Sequence, residues 1–387
     1  MTQGVYKKEM EFCKAMYEVC HESGIQFKGI NIFVSENVDE SIRYNHNLDY
    51  FELKELNSRS LAIFSKIRTI KAFLSIRPIF QAAYKEINKF NPDVIILRYH
   101  MLEIPASFNP KKVKRNVLFI SEHNTKELEE LSNIFDFKIL PVAFEKIKAR
   151  RFFKNVDAVI GVTSEIAKYE IKRAGRNIPY FVLTNGIDVN NYSIKNYAKF
   201  NGNELRMIFV SSFTAAWQGV DRLLKGIKNY RGNIRLEINI VGFVEQSVKD
   251  SVKSLNLERK IIFHGAKFDK DLNKVFDNMH IAIGTLAMHR KNLKYGATLK
   301  AREYMARGIP FVISYIDEDI AQEFPLVLRL PSDDRPVDME KIIKFTKRVY
   351  EKYGAAIPSI MRDYALTKMD YKVKVERFLS FILQQTI

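Results

Sequence analysis

Short apolar runs alternate with amphipathic helical patterns along almost all of this 387-residue chain. That rhythm limits the fold more than any other feature. A parallel strand can rejoin its sheet only through a crossover long enough to hold a helix, so the pattern predicts α/β architecture with parallel sheets. The predicted strands of the first half are 29–35, 50–56, 93–100, 116–122, 157–163 and 180–184, with helices at 7–22, 60–75, 79–90 and 164–174. In the second half strands are expected at 206–211, 234–242, 261–265, 281–286 and 310–314, with helices at 220–230, 246–255, 269–276, 299–306 and 339–353.

The length exceeds what one core usually organises, which predicts two domains. Residues 1–178 and 179–354 are the expected domains, the polar stretch 190–204 reads as their linker, and 355–387 are expected to form helices that pack back toward the first. One departure stands out. A Rossmann-like domain opens on a central strand, yet here a helix comes almost at once. Either the first domain lacks that strand or the true start lies upstream, and the second is favoured because a missing central strand leaves backbone groups unpaired.

Composition narrows the class further. No apolar run approaches the roughly 20 residues that span a bilayer. The stretch 1–14 is too polar for a signal peptide, so none is expected. Cys13 and Cys20, the only cysteines, sit seven apart in a predicted helix, about 10 Å along its axis, too far for a disulfide. A cytoplasmic setting follows as the expectation. The formal charge of +17 is shared by both halves and favours acidic partners, whether nucleotide phosphates or an anionic membrane face. No nucleic-acid partner is expected, since no recognised module or aromatic-basic strand pattern is present.

The chemistry concentrates in 284–314, a strand, a basic loop, then TLKAREYMARGIPFVIS. Thr298 is placed to cap a helix beginning at Leu299, with Tyr295, Gly296 and Ala297 leading into it. The N–H groups and dipole at such an end bind phosphate, and Lys300 adds a full positive charge. Glu303 offers a carboxylate to ribose hydroxyls. Asp317, Glu318 and Asp319 resemble an acidic metal triplet but are expected to be a solvated helix start, and no metal site or cofactor is predicted.

LKAREYMARGIPFV resembles the donor-site helix of the retaining GT-B glycosyltransferases, family 4 (glycosyltransferase group 1). FVLTNGIDVNNY, MIFVSSF, QGVDRLLKGI, INIVG and IIFHGA with DLNKVFDNMHIAIGTL follow in the family's order. The resemblance is close over 157–314 and loose before it. It implies two Rossmann-like domains across a cleft, a C-terminal helix crossing back to the first, and a retaining, metal-independent hexosyltransferase. On that basis a sugar would pass from a nucleotide-sugar donor to a glycan or polyprenyl/lipid-linked acceptor, in surface polysaccharide or glycolipid synthesis, at the inner face of the cell membrane. It implies that Glu303 holds the ribose, that the backbone of Gly296, Ala297, Thr298 and Leu299 approaches the donor and that His123 touches the transferred sugar. Arg290, Tyr295 and Lys300 complete the expected donor site, and His123, Lys300 and Glu303 are expected to act in catalysis. Gly4, Tyr6 and Lys7, in the turn into the first helix, are expected to meet the acceptor.

Two departures from the family pattern matter. The first acid of its paired-glutamate motif falls on Tyr295, and its Arg and Lys diphosphate clamp falls near Ser212 and Gln218. Replacement charge is expected from His289, Arg290, Lys291 or Lys300, with Arg290 ranked first in its loop because its planar fork suits phosphate. Trp217 is open to stacking on a ligand or to plain packing. The missing groups also sustain an alternative: a catalytically inactive GT-B subunit that binds glycan or supports a partner. Finally, 65–77 and 144–154 mix basic and apolar residues, a pattern that fits peripheral contact with an anionic membrane or simple sheet-covering helices.

Overall fold

The computed structural model describes residues 3–34, 48–56, 68–101, 108–134, 139–212 and 214–386. They fall into two units, Met1–Thr184 with Lys374–Ile387, and Asn185–Val373. Both are α/β with parallel strands.

In the first unit β1 (Gly29–Val34) pairs in parallel with β2 (Phe51–Leu56), and a second sheet runs in the order β3 (Val94–Arg98), β4 (Leu118–His123), β5 (Ala158–Gly161), β6 (Tyr180–Val182). The helices are α1 (Gln3–Glu22), α2 (Arg68–Phe90), α3 (Glu127–Ile134), α4 (Ile139–Phe153) and α5 (Ser164–Ala174). Thr163 caps α5 by accepting from Ile166 N, and Gly175 ends it at φ 70°, the left-handed conformation glycine adopts at least cost. Phe108, Phe119, Phe152, Phe153 and Val159 form the core, each worth about 1.5–3 kcal/mol of burial.

Several expectations are corrected here. The first helix begins at Gln3, so Gly4, Tyr6 and Lys7 lie in its opening turns and not in a turn before it. The break expected at Pro78 does not occur, and α2 runs through it. Proline costs that helix one hydrogen bond, and packing of Phe80, Ala83, Tyr84 and Ile87 on the core outweighs the loss. The first part of the expected helix 60–75 lies outside the described residues.

The second unit holds one six-stranded parallel sheet in the order β12, β11, β10, β7, β8, β9. These are Val327–Arg329, Phe311–Ile313, Ile281–Ile283, Glu204–Ser211, Arg235–Gly242 and Ile261–Gly265. Strands β7 to β9 wind one way and β10 to β12 the other, so the winding reverses between β7 and β10. Ligands of open α/β sheets bind outside the carboxyl ends of the strands at such a point. The helices are α6 (Val220–Asn229), α7 (Gln246–Ser254), α8 (Asp269–Asp277), α9 (Leu299–Arg307), α10 (Met339–Tyr353) and α11 (Ile357–Lys368); α12 (Tyr371–Thr386) starts in this unit and passes into the first at Lys374. The stretch read as a linker packs within this unit: Lys195 N donates to Arg307 O, and Asn196 donates to Asp277. Asp317, Glu318 and Asp319 start no helix, and Asp317 is fully buried beside Arg302.

Candidate active site

Helix α9 is fixed at the reversal point by one side chain. The Tyr304 hydroxyl accepts from Val210 N of β7 at 3.0 Å and donates to Ile283 O of β10 at 3.1 Å. Beneath the helix, the Arg302 guanidinium is enclosed with Asp317 and Asp319 and donates to Asn185 O at 2.7 Å. Asn185 Nδ2 in turn donates to Ala297 O at 2.6 Å, tying the Asn185-Gly186-Ile187-Asp188 segment to the approach of the helix. Gly186 admits no side chain, because a Cβ there would lie 2.5 Å from the Tyr371 ring.

Thr298 occupies the N-cap position, but its hydroxyl pairs with the Tyr315 hydroxyl at 2.7 Å and caps nothing, which corrects the capping expectation. The N–H groups of Leu299 and Lys300 therefore find no acceptor among the described residues. Gly296 N donates to Ile316 O, and Tyr295 bridges Ile316 through its backbone, so this loop is pinned as a short strand-like segment.

The four candidate cations have different fates. Arg290 grips Asp221 with both fork nitrogens, at 2.8 and 2.9 Å, and also donates to Asp334. Its fork is thus already engaged by carboxylates, which corrects its ranking. His289 faces Asp334 at 3.1 Å, and Lys291 lies 5.5 Å from the Trp217 ring centre. Lys300 differs. Its ammonium donates to Gln218 Oε1 at 2.9 Å and stands 4.0 Å from the Phe209 ring centre, and no carboxylate among the described residues pairs with it. Burial lowers its pKa to about 7. The lysine thus sits where Gln218 replaces the expected clamp. Further along α9, Glu303 Oε1 accepts from Arg307 Nε at 2.7 Å. Arg307 is itself fixed by Asn273 at 2.5 Å and by the face of Phe276.

His123 is enclosed within the first unit. It ends β4 fully buried, packed against both Tyr99 and Phe153, with Nδ1 2.8 Å from Glu127 and Nε2 2.9 Å from Ser121. Glu170 approaches at 3.6 Å, and Arg173 pairs with Glu127, Glu145 and Glu170 at 2.7, 2.8 and 3.0 Å. His123, Glu127 and Glu170 bring ligand atoms within 4.8 Å of one another, close enough to surround a metal ion. Arg173 already supplies positive charge to these acids, and the 2.8 Å contact of His123 with Glu127 is hydrogen-bonding distance. Burial opposes the charge of Glu127, but His123, Glu170 and Arg173 overcome it and hold its pKa at about 2. Burial and then the neighbouring Glu127 push Glu170 well up, toward the neutral acid.

A polar group that sequence reasoning missed lies at the carboxyl ends of β3 and β4. Lys8 of α1 donates to Asn124 at 2.8 Å and stands 3.6 Å from Glu122, while Arg98 pairs with Glu9. Only the place of Lys8 directly after Tyr6 and Lys7 could have drawn attention to it.

Residues 204–336 match the model of a family described as Glycosyl transferases group 1. The match to glycosyltransferase group 1 lies within the second unit. Solved structures similar to the whole chain include sucrose-phosphate synthase from Thermosynechococcus elongatus, at 14% identity and TM-score 0.65 over 95% of this chain and 91% of that one. A glycosyltransferase from Rickettsia africae matches at 14% and 0.64 over 99% and 95%. HepE from Anabaena, in complex with UDP and glucose, matches at 12% and 0.65 over 97% and 95%. No curated protein sequence matches. At these identities the likeness gives the fold, which is GT-B: the group 1 domain is one of its two Rossmann-like units.

Proposed function

We propose that this chain transfers a hexosyl group, with retention and without a metal ion, from a nucleotide sugar bound by the group 1 domain to a glycan or lipid-linked acceptor. The observation that carries the reading is Lys300, a cation with no carboxylate partner among the described residues, at the uncapped start of α9 where the sheet reverses. A diphosphate is the ligand such a place suits, since it accepts from the two N–H groups and neutralises the ammonium. HepE, whose structures hold UDP, UDP-glucose, or UDP with glucose, shares the fold and supports a nucleotide-sugar donor.

In this reading Lys300 and the α9 N–H groups stabilise negative charge as it develops on the departing diphosphate, the term that usually dominates such catalysis. Glu303, held by Arg307, accepts from ribose hydroxyls. Gly296, Ala297, Thr298 and Leu299 present backbone to the donor, and Tyr295 stands beside it. Gly4, Tyr6 and Lys7, next to the Lys8–Glu122 group, are the proposed acceptor side. Surface polysaccharide or glycolipid synthesis at the inner membrane face is the proposed setting.

The test is a panel of UDP-, GDP-, ADP- and CMP-sugars, scored by thermal shift and by transfer to added acceptors. A donor at 100 times its Kd stabilises the fold by about 2.7 kcal/mol. One nucleotide class is expected to give both a shift and transfer. Tyr295 in place of the first acid favours a second reading, an inactive binding subunit, and a shift with neither transfer nor hydrolysis would select it. No shift from any donor would overturn the transferase reading.

A further inference from the structure

Helix α4 has two faces of opposite character. Its inner face carries Ala149, Phe152 and Phe153 into the core and commits Glu145 and Lys148 to the buried ion cluster, where Lys148 lies 2.7 Å from Glu145 and Glu145 accepts from Arg173. Glu145 is the only acid of the helix. Its burial leaves an outer face on which every charged residue is basic: Lys146, Arg150 and Arg151 are exposed, and Lys154 continues the run just past the helix end. Among these cations stand two large apolar side chains, Phe144 at 54% exposure and Ile147 at 59%. Phe144, Ile147 and Arg151 follow one another at helical spacing and so share a stripe.

We infer that this face docks the protein on an anionic lipid surface. Two apolar side chains are too few for a stable protein interface, which needs about 800 Å² from each partner. They suit shallow insertion at the headgroup boundary, with the surrounding cations meeting lipid phosphates. Of the two basic stretches in the sequence, 144–154 is the one whose side chains are described. The inference goes beyond the donor reading and does not need it, because the surface lies in the other unit and uses none of the donor residues.

The experiment is co-sedimentation of the full chain with vesicles of phosphatidylcholine alone or with 30% phosphatidylglycerol, in the absence of any nucleotide sugar. Each basic residue near an anionic surface is worth about fivefold in partitioning, so Arg150→Gln with Arg151→Gln should weaken binding to the mixed vesicles about 25-fold. Phe144→Ser with Ile147→Ser should weaken it independently of salt, whereas the arginine effect should fade as salt rises. Both pairs are exposed, and an unchanged melting temperature will show that the fold is kept. Equal binding to neutral vesicles, no binding to anionic ones, or binding that neither pair alters would overturn the inference. So would tighter binding to a short duplex RNA than to the vesicles, lost through the same arginines.

Discussion

His123 and Lys300 each sit at the carboxyl end of a parallel sheet or on the helix beside it, the first fully buried and the second half-buried, yet their surroundings treat charge in opposite ways. Around His123, three glutamates meet Arg173, Lys148 and the imidazole in a closed interior, and each charge finds its counterpart within the unit. Around Lys300 there are a glutamine oxygen and an aromatic face, and among the described residues two N–H groups find no acceptor and no acid pairs with the ammonium. A charge cancelled from within holds structure together. One left uncancelled beside a helix start is suited to a ligand that brings the opposite charge.

The largest effect should come from breaking the closed cluster. Arg173→Met leaves the buried acids Glu127, Glu145 and Glu170 without their arginine, and the expected loss is about 3–5 kcal/mol of stability, read from urea unfolding. A loss below about 1 kcal/mol would mean that the cluster is not the closed structural set described. Next is Glu303→Gln, which removes charge-assisted bonds worth about 1.5–3 kcal/mol to a ribose and should weaken donor affinity by roughly ten- to a hundredfold with the melting temperature unchanged. An unaltered affinity for the donor would detach Glu303 from the site.

Smaller effects sharpen the contrast through pH. The Lys300 pKa of about 7 in the folded chain lies below the ordinary lysine value of 10.5. Between those values the unfolded chain binds more protons, so this residue's burial penalty is full below pH 7 and fades as pH rises. Lys300→Met should therefore raise the melting temperature of ligand-free protein more at pH 6 than at pH 9, and an equal rise at both would contradict its desolvated state. Glu170→Gln is the mildest change, because the amide imitates the neutral acid that burial favours; less than about 1 kcal/mol should be lost near pH 7.

Much of the second unit was legible in the sequence. Its strands lie buried between helices and read as plain apolar runs, and α9 announces itself by Thr298 before and Gly308-Ile309-Pro310 after. Strand β12 was missed because three residues carry too little pattern, and α3 because its acidic surface hides two inward-facing groups, Glu127 and Leu131. The site was legible in residue type and not in pairing. Arg290 had the better phosphate geometry, but Asp221 and Asp334, 69 and 44 residues away, had already engaged it. His123 fell at the right strand end, yet nothing local foretold that Glu170 and Arg173 of α5 would enclose it. Such long-range neutralisation decides which charges stay available, and it is invisible to spacing along a chain.

The central claim is that Lys300 is the cation held ready for the donor diphosphate. Its most direct test is calorimetric titration of the preferred nucleoside diphosphate into wild-type and Lys300→Met protein at pH 6.5, where a fair share of the amine is protonated. The account predicts measurable binding by wild type and at least tenfold weaker binding by the variant, with both proteins equally folded. Equal affinity in the two, or no binding by the wild type to any nucleotide of the panel, would contradict it.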